Sequence, residues 1–434
     1  MSTAARFFSK FTIPLILVLS LWMVANISWS GERWKYVITS DGKGYYAYLP
    51  AVFIYNDPNF GFFDSIEAKY YDSHTKYDFR AGAYGKTIDK YFCGMAVLQT
   101  PFFLAAHAAT KLSGGTADGY SKLYAIFVNL GALFYLGIGL LCFGRFLRMH
   151  GASGAQAAFI IAAIYFGTNL LYYALIEPVM SHVYSFAMVS MFLVYGKKWV
   201  ETGNKKYALF TALILGMVVL IRPVNGLIAC WLIFEAGGFA PFIKRKLELL
   251  RSLKTIAVAM LLFLFPLSLQ LIFYKIATGH FFVDAYGKEG FHFFHPEIFN
   301  FLFSYKKGLF VYLPLTLVSL GGLFFLWQKD RFLALFAGGF LLTVIYILSC
   351  WWMWFYGGSF GTRVIIEFLP VFGLLLFFLL NGIKSKAVKI TTVTLIVLLV
   401  VFCQLQTYQY RYEIIHWSEM TKEKYWEVFL KMEK

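Results

Sequence analysis

Apolar stretches of about 15 to 22 residues recur along this chain, and a segment of that length and apolarity can satisfy its own backbone in lipid only as a helix. They are read at 12–29, 123–143, 156–174, 181–196, 207–221, 224–239, 255–274, 309–327, 332–350, 364–380 and 388–404, eleven in all. Composition agrees: 59% of the 434 residues are hydrophobic and 14% charged, with a mean hydropathy of +0.64, far from a soluble average. The first stretch has the hydrophobicity of a signal peptide, but no small-residue cleavage site follows it, so it is read as a retained span. The expected fold is an all-α polytopic membrane protein with about 11 transmembrane helices. No repeat, low-complexity tract or Ser/Pro linker divides residues 1–434, which are read as one integral membrane domain.

Charge then orients the chain. The formal net charge is +16, from 39 basic and 23 acidic residues. In a soluble protein this balance would raise nucleic-acid binding. Here the cations fall in short runs between apolar stretches (Lys197 and Lys198, Lys205 and Lys206, Lys244-Arg245-Lys246, Lys384 and Lys386), as the positive-inside rule expects, so no nucleic-acid partner is expected. These runs share the amino terminus's side only if 91–112, interrupted by Gln99, Pro101 and His107, does not span. That segment is therefore assigned to a helix on the outer face or dipping partly into the membrane. The assignment exports 30–122 as a long first outer loop with amphipathic interfacial helices, the stretch 275–308, and 405–434 as an outer carboxy-terminal tail. The aromatic residues of these segments suit the headgroup level and make membrane lipids expected partners. The five cysteines, Cys93, Cys142, Cys230, Cys350 and Cys403, show no C-x-x-C spacing and imply neither a disulfide framework nor a zinc site.

Several polar residues surface on the same outer side. Asp41, in Ser-Asp-Gly-Lys-Gly-Tyr-Tyr, follows the first span closely. A carboxylate there either caps a short helix or acts as a base on a substrate held against the lipid. Gly42 and Gly44 would let the backbone approach a ligand, with Tyr45 and Tyr46 as contacts, and Asp57 lies at the end of the same run. Glu177 and His182 lie where one span surfaces and the next begins; each is a substrate-orienting candidate, or else Glu177 caps the next helix and His182 is a hydrogen-bonded interface residue. Arg222 precedes Pro-Val-Asn-Gly, Lys307 follows Lys306, and Arg363 ends the stretch Trp-Trp-Met-Trp-Phe-Tyr-Gly-Gly-Ser-Phe-Gly-Thr-Arg. Cations there suit a phosphate or anionic headgroups. His280, Asp284, His292, His295 and Glu297 share one outer loop, but their spacing matches no metal motif; no metal-ligating residue is assigned, and a divalent metal is left open as a cofactor.

With its amino-terminal span, an acidic residue early in a long first outer loop, and the segments SDGKGYYAYLPA, EP-x-MSH, RP-x-NG, KKGLF-x-Y-x-P and WW-x-W…GGSFG-x-R, nearly the whole chain resembles the GT-C class of membrane glycosyltransferases. Within the class it is similar to bacterial relatives of protein mannosyltransferases and lipid A aminoarabinose transferases. The resemblance implies a GT-C-like fold and a bacterial cytoplasmic-membrane enzyme working on the outer, periplasmic face. It implies transfer of a sugar from a polyprenyl-phosphate-linked donor to a glycan, lipid or protein acceptor, with inversion. Asp41 would be the catalytic base, and Arg222, Lys307 and Arg363 would bind the donor phosphate. No Asp-Glu or D-x-D pair stands at Asp41, which argues against a paired-acid or metal-assisted variant. A transporter or flippase of a lipid-linked solute, or a surface-glycan polymerase or ligase, is the alternative. Against transport, the charges gather at one face and no inverted halves are visible.

Overall fold

In the computed structural model, residues 3–72 and 75–433 are described. Met1, Ser2 and Lys434, at the ends of the expected single unit, lie outside the described residues, as do Ser73 and His74.

The chain is almost entirely helical. After α1 (Thr3–Ser28) come α2 (Gly42–Pro50), α3 (Phe63–Tyr70), a hairpin of β1 (Arg80–Ala83) and β2 (Lys86–Asp89), and α4 (Gly94–Leu112). Next are α5 (Lys122–Met149), α6 (Gly154–Phe166), α7 (Leu170–Leu175), α8 (His182–Thr202) and α9 (Lys205–Ile221). They are followed by α10 (Trp231–Glu235), α11 (Phe239–Leu250) and α12 (Leu253–Thr278). The last part holds α13 (Ile298–Phe303), α14 (Leu309–Tyr312), α15 (Pro314–Leu320), α16 (Gly322–Lys329), α17 (Arg331–Ser349), α18 (Leu369–Gly382), α19 (Lys386–Arg411) and α20 (Lys422–Val428). β1 and β2 pair antiparallel, Arg80 opposite Asp89.

Among the described residues six helices are long and apolar enough to cross a membrane, or seven if one bent pair counts as a single span. All eleven expected stretches fall on helical structure, but five do not form one long apolar helix. The stretch 156–174 is divided between α6 and α7 at Gly167. The stretch 309–327 is cut into α14, α15 and α16 at Pro314 and at Gly321–Gly322, because proline cannot donate to the preceding turn. The stretch 224–239 is a tight helical turn and α10, bent 103° from α11 across two left-handed glycines, Gly237 and Gly238. α9 has 17 residues, and α8 carries Lys197, Lys198, Ser and Thr among its apolar residues.

The first loop departs most from expectation. α2 was expected at the surface, yet all nine of its residues are buried. Gly42 and Gly44 approach protein, with no ligand needed to explain them. A Cβ at Gly42 would lie 2.8 Å from Val179 Cβ, and one at Gly44 would overlap the Tyr91 ring. Lys43 between them is fully buried, with Nζ 2.8 Å from the Thr75 carbonyl oxygen, 3.4 Å from Glu67 and 3.8 Å from the centre of the Tyr71 ring. The S-D-G-K-G run is thus the seam between the first loop and the helical bundle.

Small residues set the helix spacing elsewhere. A Cβ at Gly322 would land on the Leu375 carbonyl, so α16 and α18 touch backbone to backbone, and Gly216 does the same for α9 against Phe263 of α12. Gly322→Ala is expected to force α16 off α18 and to cost about 1–3 kcal/mol, read as a lower midpoint of thermal unfolding in detergent. An unchanged midpoint would mean that the two helices have room to spare.

Candidate functional site

The seam opens onto a cavity of about 1430 Å³ whose wall includes Asp41, Tyr45, Glu177, His182, Arg222 and Arg363. Four separate stretches of chain supply these six side chains. Ser40, held at φ +51, turns the chain just ahead of α2. Asp41 then starts the helix but makes no side-chain cap bond. Its carboxylate instead meets Arg363, Nη2 to Oδ2 at 2.5 Å, with both side chains at least four-fifths buried. The Tyr91 and Tyr77 hydroxyls, bonded to each other, also favour its ionised form. Burial pushes the Asp41 carboxyl up, but the Arg363 guanidinium and the two hydroxyls outweigh it and leave the carboxyl below its ordinary range.

Arg363 opens the tight helical turn Arg363–Phe368 that runs into α18, and one turn on stands Glu367, fully buried. Glu367 Oε1 lies 2.9 Å from His182 Nδ1 and 3.6 Å from Arg222 Nη1. The first residue of α8 and the residue just past α9 are therefore held to the same carboxylate. Arg222 also lies 6.0 Å from the centre of the Tyr356 ring. Among the described residues Arg363 Nε and Glu367 Oε2 have no hydrogen-bond partner, which leaves one donor and one acceptor open at this corner.

Glu177 sits in the turn between α7 and α8 and accepts from the Tyr172 hydroxyl at 3.1 Å. Burial raises its carboxyl to about 7, against the pull of Arg363. Burial likewise lowers Lys307 to about 7, against the pull of Glu177. Asp41 is thus held ionised and Glu177 exchanges its proton near neutrality, so surroundings set apart two of the carboxyls on the cavity wall.

Other expected residues lie elsewhere. Lys307 is buried behind the wall: its ammonium donates to the Ser359 carbonyl and lies 4.8 Å from the centre of the Tyr410 ring, and it does not line the cavity. Tyr46 is buried, donating to the Gly119 carbonyl at 2.6 Å. Asp57 accepts from the backbone of Asn59 at 3.0 Å and of Phe62 at 3.1 Å, holding a turn. Neither lines the cavity. The loop of His280, Asp284, His292, His295 and Glu297 does not gather its side chains: His280 stacks on Tyr84, Asp284 accepts from Gly287 and Glu297 from Asn300. Among the described residues no group of three or more His, Cys, Asp or Glu is placed to hold a metal ion.

Glu367, Tyr77, Tyr91 and Tyr172 belong to the site and were not singled out in the sequence. Glu367 had a signal, an acid four residues after an arginine in an otherwise apolar run. The tyrosines, three of 29, had none. Aromatic side chains line much of the rest of the cavity, among them Tyr286, Trp351, Trp352, Tyr410 and Trp417, with Lys90, Glu289, Arg411 and Glu413 between them.

No family profile matches the chain, and no curated protein matches it. Among solved structures it is similar to the archaeal oligosaccharyltransferase AglB from Archaeoglobus fulgidus, in complex with an inhibitory peptide and a dolichol-phosphate. The two share 12% identity at a TM-score of 0.45, over 98% of this chain and 60% of that one. The chain therefore spans less than two thirds of that protein's length.

The two neutral-range groups give the cavity a pH dependence of fixed sign. As pH rises through about 7, Glu177 gains negative charge and Lys307 loses positive charge, so both changes oppose an anion. Affinity for a prenyl sulfate, whose own charge is constant there, is expected to fall across that range by titration calorimetry. Glu177→Gln is expected to flatten the fall, and an equally steep fall in that variant would place the titration elsewhere.

Proposed function

We propose that this protein is a membrane glycosyltransferase that moves a sugar from a polyprenyl-phosphate-linked donor to an acceptor on the outer, periplasmic face of a bacterial cytoplasmic membrane. The observation that carries the reading is the Asp41–Arg363 pair, 2.5 Å apart in the wall of a large aromatic-lined cavity with Arg222 beside it. A base for an acceptor and cations for a phosphate are there in one place. Aromatic faces suit the apolar sides of sugar rings.

In the reaction the acceptor's hydroxyl or amine attacks the anomeric carbon, and the bond from that carbon to the phosphate oxygen breaks with its electron pair. Asp41 takes the acceptor's proton. The polyprenyl phosphate leaves carrying the negative charge, which the guanidinium groups of Arg363 and Arg222 on the cavity wall stabilise. Attack opposite the leaving group inverts the anomeric centre. Glu177 and His182 orient the donor sugar or the acceptor, and Tyr45 lies along the same wall. Lys307 does not meet the phosphate in this scheme; it acts through Glu177, whose charge it feels.

The test is release of polyprenyl phosphate by the purified protein from a panel of polyprenyl-phosphate sugars. Asp41→Asn is expected to lower turnover by about 10²–10⁴-fold. Arg363→Lys, which keeps the charge but loses the planar fork, is expected to lose most of it while remaining folded. No turnover with any donor, or undiminished turnover in Asp41→Asn, would overturn the assignment.

A further inference from the structure

At the far end of α8 from the cavity stands a second polar assembly. Glu235, the last residue of α10, has a fully buried carboxylate that lies 2.9 Å from Lys197 Nζ and 3.1 Å from His150 Nε2, and it accepts from Trp231 Nε1 at 2.8 Å. These groups come from the carboxy-terminal ends of α5 and α8 and from α10, so the carboxylate ties three helix ends together. Two residues later the chain reaches Gly237 and Gly238, at φ +77 and +144, and turns 103° into α11.

α11 has three faces. Phe242, Leu249 and Arg245 turn toward protein: Phe242 packs on Trp199, and Arg245 donates to the carbonyls of Val200 at 2.8 Å and Glu201 at 3.3 Å. Phe239, Ile243, Leu247 and Leu250 form a stripe in which each residue is more than half exposed. Lys244 and Lys246 border that stripe, and Arg251 and Lys254 follow, all exposed. Glu248 is engaged by Arg245 at 2.6 Å, so Lys244 and Lys246 carry the helix's net charge, with Arg251 and Lys254 just beyond its end.

Distance gives this helix its place. α8 begins with His182 at the cavity and ends at Thr202 beside α11, and its 21 residues rise about 30 Å, the thickness of a bilayer's hydrocarbon core. An exposed apolar stripe with basic borders, set across the bundle at that depth, fits an anionic lipid surface: the stripe enters the acyl boundary and the lysines meet the phosphates. We infer that α11 lies in the plane of the leaflet opposite the cavity and docks there on anionic phospholipid headgroups. The buried Glu235 cluster holds the corner that keeps it in that plane.

The test uses the full chain in nanodiscs of phosphatidylcholine alone or mixed with phosphatidylglycerol. Nitroxide labels are placed by Ile243→Cys, Leu247→Cys or Lys244→Cys in a background of Cys142→Ser and Cys230→Ser. Labels at 243 and 247 are expected to be relaxed by oxygen more than by a water-soluble nickel chelate, and the label at 244 the reverse. Lys244→Gln with Lys246→Gln, both at exposed positions and without effect on the fold, is expected to reduce co-purified phosphatidylglycerol relative to phosphatidylcholine, roughly fivefold for each charge removed. Equal nickel accessibility at 243 and 244 would overturn the placement, as would a soluble protein or a second copy of the chain shielding the stripe. Unchanged lipid selectivity in the double variant would overturn the headgroup assignment.

Discussion

The contact between Asp41 and Arg363 joins residues 322 positions apart, and the arrangement of the cavity depends on it. Through Arg363 the first loop is fixed to the turn that begins α18. Glu367, one turn later, reaches His182 and Arg222 and so fixes the start of α8 and the end of α9. Every one of these groups is costly to bury alone, and each is matched to an opposite charge or a hydroxyl. The price is a seam with little tolerance. Gly42 leaves space for Val179, Gly44 for Tyr91, and Lys43 needs Glu67, Thr75 and Tyr71 around it.

Much of this was legible in the sequence, for physical reasons. Length and apolarity alone located the helical stretches, since lipid leaves the backbone no alternative. What they did not reveal is continuity. Pro314 and the adjacent glycines Gly321–Gly322 divide 309–327, and Gly237–Gly238 turn the chain sharply, because local breaks depend on what packs there and apolarity averaged over a stretch does not register them. Asp41, Glu177, His182, Arg222 and Arg363 stood out because a charge at the edge of an apolar stretch needs a reason, and all five line one cavity. The same criterion also selected Lys307 and Asp57, whose reasons are local: a carbonyl beneath the wall and a turn to hold. Tyr46 was selected beside Tyr45, but on a buried helix adjacent side chains point apart, and it bonds Gly119. Pairings such as Glu367 with His182 join distant stretches and leave no trace in spacing.

The two ends of the molecule are built differently. At the cavity end the charges of Asp41, Glu177, Arg222 and Arg363 are arranged around space. At the other end Glu235 is held by Lys197, His150 and Trp231, which tie three helix ends together. The first arrangement suits a site that must accept a ligand, and the second a joint that must not move.

The hold of Arg363 on Asp41 has a consequence for timing. A guanidinium that is the main counter-charge of a carboxylate in the empty cavity can serve a phosphate only by sharing itself, and as it does so the carboxylate loses part of what keeps its proton affinity low. Under the proposed function Asp41 would become the stronger proton acceptor as a donor phosphate draws on Arg363. In the proposed reaction, readiness to take the acceptor's proton would follow binding of the donor phosphate.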